Sequence, residues 1–262
     1  MEILNVIDPV IFRTYMLVLI RISIVLFMFP IFSSRVFPNM VKAALAMVVS
    51  LLLYTVVNID LSRFPLTAAS TGLLIVAEVM IGLTLGMCLR FFFASVQLAG
   101  QIVGFQMGFA MINVVDPQTG SNVSIMDQLG YWVCVVLFLS LNGHHIMFIA
   151  MIESFKLVPI GGFIFHNAIV TSMIGLGTEL FLIALKIGAP VIVSLAFVSV
   201  GFGLVSKFSP QMNVMIVAFP LKIIAGLMLF GLTLQIILII TTDYVQGFKK
   251  LLLTLLYFAG GG

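Results

Sequence analysis

Arg13, Arg21, Glu78, Arg90, Glu179 and Lys186 stand inside otherwise apolar stretches of the sequence. At the middle of a membrane helix each costs on the order of 2.5–3.5 kcal/mol. Two chemistries suit such residues: a path for ions or protons, or ion pairing between helices or subunits. Glu179 and Lys186 are seven positions apart on one helix face, too far to pair directly without bending. Acids are few and no chain of Asp, Glu and His runs through the sequence, which favours pairing. His144 and His145 are adjacent, so on a helix their side chains diverge, and no third ligand is near. They read as structural or interfacial. Cys88 and Cys134 lie in apolar stretches without a second Cys or His at metal spacing, and read as buried free thiols. There is no paired nucleophile and base, no glycine-rich phosphate loop and no pair of catalytic carboxylates. The expectation is a protein that is not an enzyme, with no cofactor and no metal.

A second set of residues points to close helix contacts. Gly100, Gly104 and Gly108 recur every four positions and form a stripe without side chains on a helix. Another helix can approach closely there, and Gly82 with Gly86 is a shorter version. Gln97, Gln101, Phe105 and Phe109 follow the same spacing, and Gln106 lies among them. An unpaired amide in lipid costs several kcal/mol, so these glutamines should face partner helices or a water-filled path. The helical pattern runs on to Ile112 and gives way to a loop over 113–124. Turn residues crowd that loop, among them Asn113, Asp116, Pro117, Gly120 and Asn122. Apolar Phe109, Met111, Val114 and Val115 lead straight into Asp116-Pro117. Irregular backbone at membrane depth is tolerated only inside protein or along a cavity. Adaptable Met side chains suit a seal that opens and re-forms. A plain extramembrane connector is the other reading, and the commoner use of a loop.

The elements that must position these residues are membrane helices. Of 262 residues, 62% are hydrophobic and 8% charged, whereas soluble domains sit near ~45–50% and ~25%. A soluble fold cannot bury that excess. Crossing the hydrocarbon takes ~20 residues, and the apolar runs over 10–29, 42–57, 70–93, 129–152, 168–205 and 213–240 suggest about six helices. The fold class is all-α, a single membrane domain over residues 1–262, with an amphipathic helix and loop over 94–124. Pro30 closes the first run, and Ser33, Ser34, Arg35, Pro38 and Asn39 link it to the second. Asn58, Asp60, Ser62, Arg63 and Pro65 make the next turn. Asn142-Gly143 breaks the fourth run, Pro159 and Gly161-Gly162 follow it, and an amphipathic tail extends to Phe258. Gly188 and Pro190 interrupt the long run over 168–205, and broken helices form the sites of secondary transporters. Glu2 and Asp8 stand where a cleavable signal would be basic. Arg35 and Lys42 favour the cytoplasm for the first link, but Lys207 and Lys249-Lys250 flank the last run from opposite sides and leave the orientation open. The net charge of +3 is scattered, so no nucleic-acid surface stands out, and Lys249-Lys250 reads as a membrane-surface anchor.

Several stretches together resemble one family over essentially the whole chain. They are Leu98-Ala99-Gly100-Gln101, Gln106-Met107-Gly108 through Asp116-Pro117, and Leu141-Asn142-Gly143-His144-His145 followed by Ser154-Phe155 and Pro159-Ile160-Gly161. Pro210-Gln211-Met212-Asn213 with Phe219-Pro220-Leu221-Lys222, and the Pro38 to Lys42 link, complete the set. The pattern is similar to the FliR/SctT family, export-gate subunits of type III secretion, and the Gln-Met-Gly to Asp-Pro stretch leans toward its flagellar branch. The resemblance implies helical hairpins in a hetero-oligomeric gate in the bacterial inner membrane, within the flagellar basal body. It implies P and Q partner subunits (FliP-like and FliQ-like), together with a large export protein and a B subunit (FlhA-like and FlhB-like). In that family the R subunit looks like one P-like unit fused to one Q-like unit. Unfolded flagellar proteins would pass through the pore, and membrane lipid would surround it. By the same resemblance Phe105, Gln106, Met107, Gly108, Phe109, Met111, Asn113, Val114, Val115, Asp116 and Pro117 would belong to a channel plug. The glycine stripe and the glutamines would pack on P and Q helices, and the buried charges would pair across subunits. A secondary transporter of a small solute or ion is the competing expectation.

Overall fold

The computed structural model of the chain describes residues 9–33, 38–56, 67–109, 125–209, 211 and 213–261. Among these residues the regular structure is entirely helical. The helices are α1 (Pro9–Met28), α2 (Pro30–Ser33), α3 (Asn39–Val56) and α4 (Ala68–Met107). They continue with α5 (Ile125–Ser140), α6 (Gly143–Leu157), α7 (Asn167–Phe208) and α8 (Val214–Ala259). The expected all-α membrane fold is what the chain adopts. Ser34, Arg35, Asn58, Asp60, Ser62, Arg63 and Pro65, expected in links, lie outside the described residues.

The count of crossings differs from six. Four helices, α1, α4, α7 and α8, are long and apolar enough to cross a membrane, or five if α5 and α6 count as one broken span. The apolar part of α3, Asn39–Thr55, falls short of a full crossing. The break between α5 and α6 is where the sequence puts it. Asn142 takes a left-handed backbone conformation (φ 59°), which its short polar side chain tolerates, and the axis turns by 68°.

Elsewhere the helices are longer than the apolar runs suggest. The runs over 70–93 and 94–112 are one helix of 40 residues that stops at Met107. Its end is a Schellman turn: Gly108 has φ +91°, its N–H bonds Phe105 O at 3.0 Å, and the Phe109 N–H reaches back to Gly104 O at 3.0 Å. Gly108 is therefore the helix stop, and the helical reading to Ile112 is corrected. Gly188 and Pro190 do not interrupt α7, which is continuous over 42 residues. Proline removes one ladder bond, and a Cβ at the buried Gly188 would stand 3.7 Å from Val103 Cγ2. The last run and its tail are likewise one helix, α8. Val245, Phe248, Leu252, Leu255, Leu256 and Ala259 are buried, while Gln246, Lys249, Lys250, Thr254 and Tyr257 are exposed. That spacing is a helical stripe, so nothing in the sequence ends the helix at Ile240.

The chain divides into two compact units. The first comprises Met1–Phe91, Asn142–Leu176 and Gln246–Gly262. In it α1 lies along α3, where Tyr15 meets Tyr54 edge-on at 6.4 Å and its hydroxyl donates to Met47 O at 3.2 Å. The Ile164 N–H bonds Ala259 O at 2.9 Å, tying the end of α8 to the segment before α7. The second comprises Phe92–Leu141 and Gly177–Val245. Its core joins Val103, Met107, Met126, Val191, Leu195 and Phe230. Phe93 adds edge contacts to Tyr131 and Phe138, and Phe92 stacks on Tyr244 with centroids 3.9 Å apart.

Candidate functional site

In the first unit two of the embedded charges, Arg21 and Glu78, meet. Arg21 on α1 reaches Glu78 on α4 with two parallel bonds: Nε to Oε2 at 2.5 Å and the second terminal nitrogen to Oε1 at 3.0 Å. The two side chains are 1% and 0% exposed. Arginine's planar fork matches a carboxylate in this way, which lysine cannot do. The remaining guanidinium hydrogens go to Val158 O, at 3.1 Å from each terminal nitrogen, and to Ser154 Oγ at 3.2 Å. The Phe155 ring lies 4.1 Å from the guanidinium carbon, close enough for cation–π attraction. The backbone N–H of Gly161 supports Glu78 as well. One arginine thus ties α1, α4 and the end of α6 together.

Gly82 and Gly86 allow α4 to lie against α1. A Cβ at Gly82 would stand 3.0 Å from Ile24 Cβ and 3.1 Å from Arg21 O. One at Gly86 would stand 2.5 Å from Met28 Sδ. These seats are filled by the chain's own helix. Among the other embedded charges, Arg13 is buried in α1, whereas Arg90, Glu179 and Lys186 are exposed and make no ion pair with another described residue. His144 and His145 lie side by side in the first turn of α6, with ring centroids 4.2 Å apart. Among the described residues no group of three or more His, Cys, Asp or Glu is arranged to hold a metal. Cys88 and Cys134 are buried and form no disulfide.

In the second unit the glycine stripe divides. Gly100 receives the start of α5 so closely that a Cβ would lie 2.5 Å from Asp127 Cα. Gly108 faces Phe219, whose ring carbons would be 2.8 Å from a Cβ. Gly104 is buried and lends its carbonyl to the helix stop. Gln101 Nε2 donates to Asp127 Oδ2 at 3.2 Å, and Gln97 interacts with the same carboxylate. Phe105 is 72% exposed, Met107 is fully buried, and Gln106 and Phe109 are half-buried. Met111, Asn113, Val114, Val115, Asp116 and Pro117 lie outside the described residues. Sequence reasoning did not single out Asp127 or Val158, and it quoted Ser154-Phe155 only as part of the family resemblance. For Asp127 a signal existed: an acid directly after a turn-rich stretch marks the first turn of a helix.

Among the described residues, long apolar helices, a buried ion pair and close glycine seats define an integral membrane protein. Residues 12–248 match the sequence profile of bacterial export proteins, family 1. The chain belongs to that family. It is 29% identical over 241 residues to flagellar biosynthetic protein FliR of Bacillus subtilis (strain 168), spanning 88% of this chain and 90% of the relative. It is 28% identical over 219 residues to the protein of that name in Escherichia coli (strain K12), spanning 84% and 83%. The Aquifex aeolicus (strain VF5) protein of that name is 27% identical over 237 residues, spanning 90% and 91%.

Proposed function

We propose that the chain is a subunit of the flagellar type III protein-export gate in the bacterial inner membrane. It assembles with FliP-like and FliQ-like subunits around a pore for unfolded flagellar proteins. FlhA-like and FlhB-like proteins are its further partners. Its role is structural, without catalysis. Family membership over residues 12–248 supports an export role. The observation that carries the subunit reading is the uncovered length of α7 and α8. Their 42 and 46 residues give contour lengths of about 63 and 69 Å, twice a ~30 Å hydrocarbon layer. Exposed apolar side chains run along α7 from Val170 to Phe208 and along α8 from Met215 to Ile239. One ~30 Å layer of lipid covers about half of that length on α7, and neighbouring subunits cover the rest. The uninterrupted α7 also removes the feature on which a small-solute transporter rested.

Within this reading, residues 105–117 plug the channel. Phe109, Met111, Val114 and Val115 seal it, Asp116-Pro117 sets the turn, and Phe105, Gln106, Met107, Gly108 and Asn113 complete the stretch. The exposed Arg90, Glu179 and Lys186 pair with charges of partner subunits. The test is removal of residues 114–121 from the assembled complex, with ion leakage read in membrane vesicles. Leakage that appears with assembly intact is expected. A membrane that stays ion-tight rejects the plug.

A further inference from the structure

Building on the subunit reading above, we propose that the exposed stripe of α7 through Glu179, Leu182 and Lys186 docks an apolar helix of a different chain. That helix carries a cation opposite Glu179 and a carboxylate opposite Lys186.

Seven positions on an α-helix fall ~20° short of two full turns and rise ~10 Å, so Glu179 and Lys186 lie on one line along α7. Leu182, Val193, Phe197 and Leu204 lie on or beside that line, and all six residues are exposed. The stripe is thus apolar, with two opposite charges at one end. Neither charge has an ion-pair partner among the described residues.

Lipid does not cover this stripe. Only five positions separate α7 from α8, so the two run antiparallel. Phe92 stacks on Tyr244, and a Cβ at Gly226 would meet Met107, so α8 also runs antiparallel to α4. A Cβ at Gly188 would meet Val103, which places α7 on the same scale. At ~1.5 Å per residue these contacts set the level of each charge. Glu179 and Asp243 stand level, Lys186 lies ~10 Å further along, Lys222 ~15 Å beyond it and Lys207 ~16 Å beyond that. Any ~30 Å hydrocarbon layer between Glu179 and Lys207 therefore takes in at least one lysine. A lysine at that depth needs a counter-charge, which lipid tails do not offer. A layer placed elsewhere leaves Phe181, Leu182 and Leu185 exposed outside it, where protein must cover them.

A second copy does not fit either. Copies in one membrane share their direction, so a two-fold axis along the membrane normal sets Glu179 against Glu179 and Lys186 against Lys186. Sliding one copy by seven positions pairs one charge of each chain and strands the other, and like charges in contact disfavour an interface. The occupant is a different chain. Running parallel to α7 it carries its cation before its acid, and running antiparallel it carries the acid first.

The test places a photocrosslinking residue at Leu182, between the two charges, in the chain co-expressed with FliP-like and FliQ-like subunits. The crosslinked peptide is identified by mass spectrometry of the purified mixed complex. The expected product joins α7 to a partner helix that carries a Lys or Arg and an Asp or Glu about seven residues apart. Lys186→Glu is then expected to lower the yield of mixed complex about tenfold, as like charges across an interface imply. Lys186→Arg is expected to stay near the parent, and changing the facing partner carboxylate to Lys should restore the yield of Lys186→Glu. A crosslink to a second copy, to lipid or to a partner helix without those charges overturns the docking surface. So does full yield with Lys186→Glu, or a loss that the partner reversal does not restore. A mixed complex that gives no crosslink from Leu182 overturns the surface and leaves the subunit reading standing. If no mixed complex forms with the unaltered chain, the subunit reading falls and takes the surface with it.

Discussion

Replacing Arg21 with Met should be among the most damaging single changes in the first unit, and its cost can be worked from the contacts. The substitution keeps an unbranched apolar stem but strips Glu78 of two charge-assisted bonds, leaving only the Gly161 N–H. Glu78 is fully buried, so its charge would stand nearly unpaired, and breaking a buried pair from one side costs about 3–5 kcal/mol. Glu78→Leu breaks the pair from the other side. Arg21 then keeps Val158 O, Ser154 Oγ and the Phe155 face, but no anion, and the cost falls in the same range. Removing both charges together is different. The double variant leaves no buried charge at this position, and Ser154 retains its bond to Met151 O. What remain unpaired are the Val158 carbonyl and the Gly161 N–H, at about 1–3 kcal/mol each, and each single variant leaves one of these beside its stranded charge. The double variant should therefore be more stable than either single one. The assay is unfolding of the detergent-purified complex, followed by helical circular dichroism, for all four proteins of the cycle. Singles that add without coupling, or that each cost under about 1 kcal/mol, would refute a buried tie at this position.

Gly86→Val should push α4 off α1, because its Cβ would meet Met28 Sδ at 2.5 Å and its added methyls leave that side chain little room. A loss of about 1–3 kcal/mol is expected in the same unfolding assay, partly restored by Met28→Ala. Tyr244→Phe should keep the stack on Phe92, where the planes are 7° apart, whereas Tyr244→Ala, at a half-buried position, should cost about 1–3 kcal/mol. Cys88 and Cys134 are 1% and 0% exposed. A maleimide should label both only after denaturation, and fast labelling of the native protein would contradict their burial.

The elements were legible where a single stretch of sequence decides them. Apolar runs mark the helices, Asn142-Gly143 marks the bend, and Pro159 with Gly161-Gly162 marks the link that carries the Val158 and Gly161 contacts. Helix ends were harder. Gly108 fits a four-residue stripe and a helix stop equally well, and only the left-handed turn with its two backbone bonds separates them. Pro190 looks like a break, yet one lost ladder bond does not end a helix packed on its neighbours. The partners of charges were not legible at all. Arg21 and Glu78 are 57 positions apart, so their pairing follows from how α1 meets α4. Gln101 reads as a residue awaiting a partner subunit, but its carboxylate lies 26 positions on in the same chain. Asp127 looks like an ordinary first-turn acid until the Gly100 seat shows how deeply it is held.

The most direct test of the account is co-expression with FliP-like and FliQ-like subunits, followed by native mass spectrometry of the detergent-purified material. The uncovered lengths of α7 and α8 predict a discrete mixed complex that contains this chain and is lost when the partners are withheld. A stable homo-oligomer that takes up neither partner would contradict the export-gate assignment.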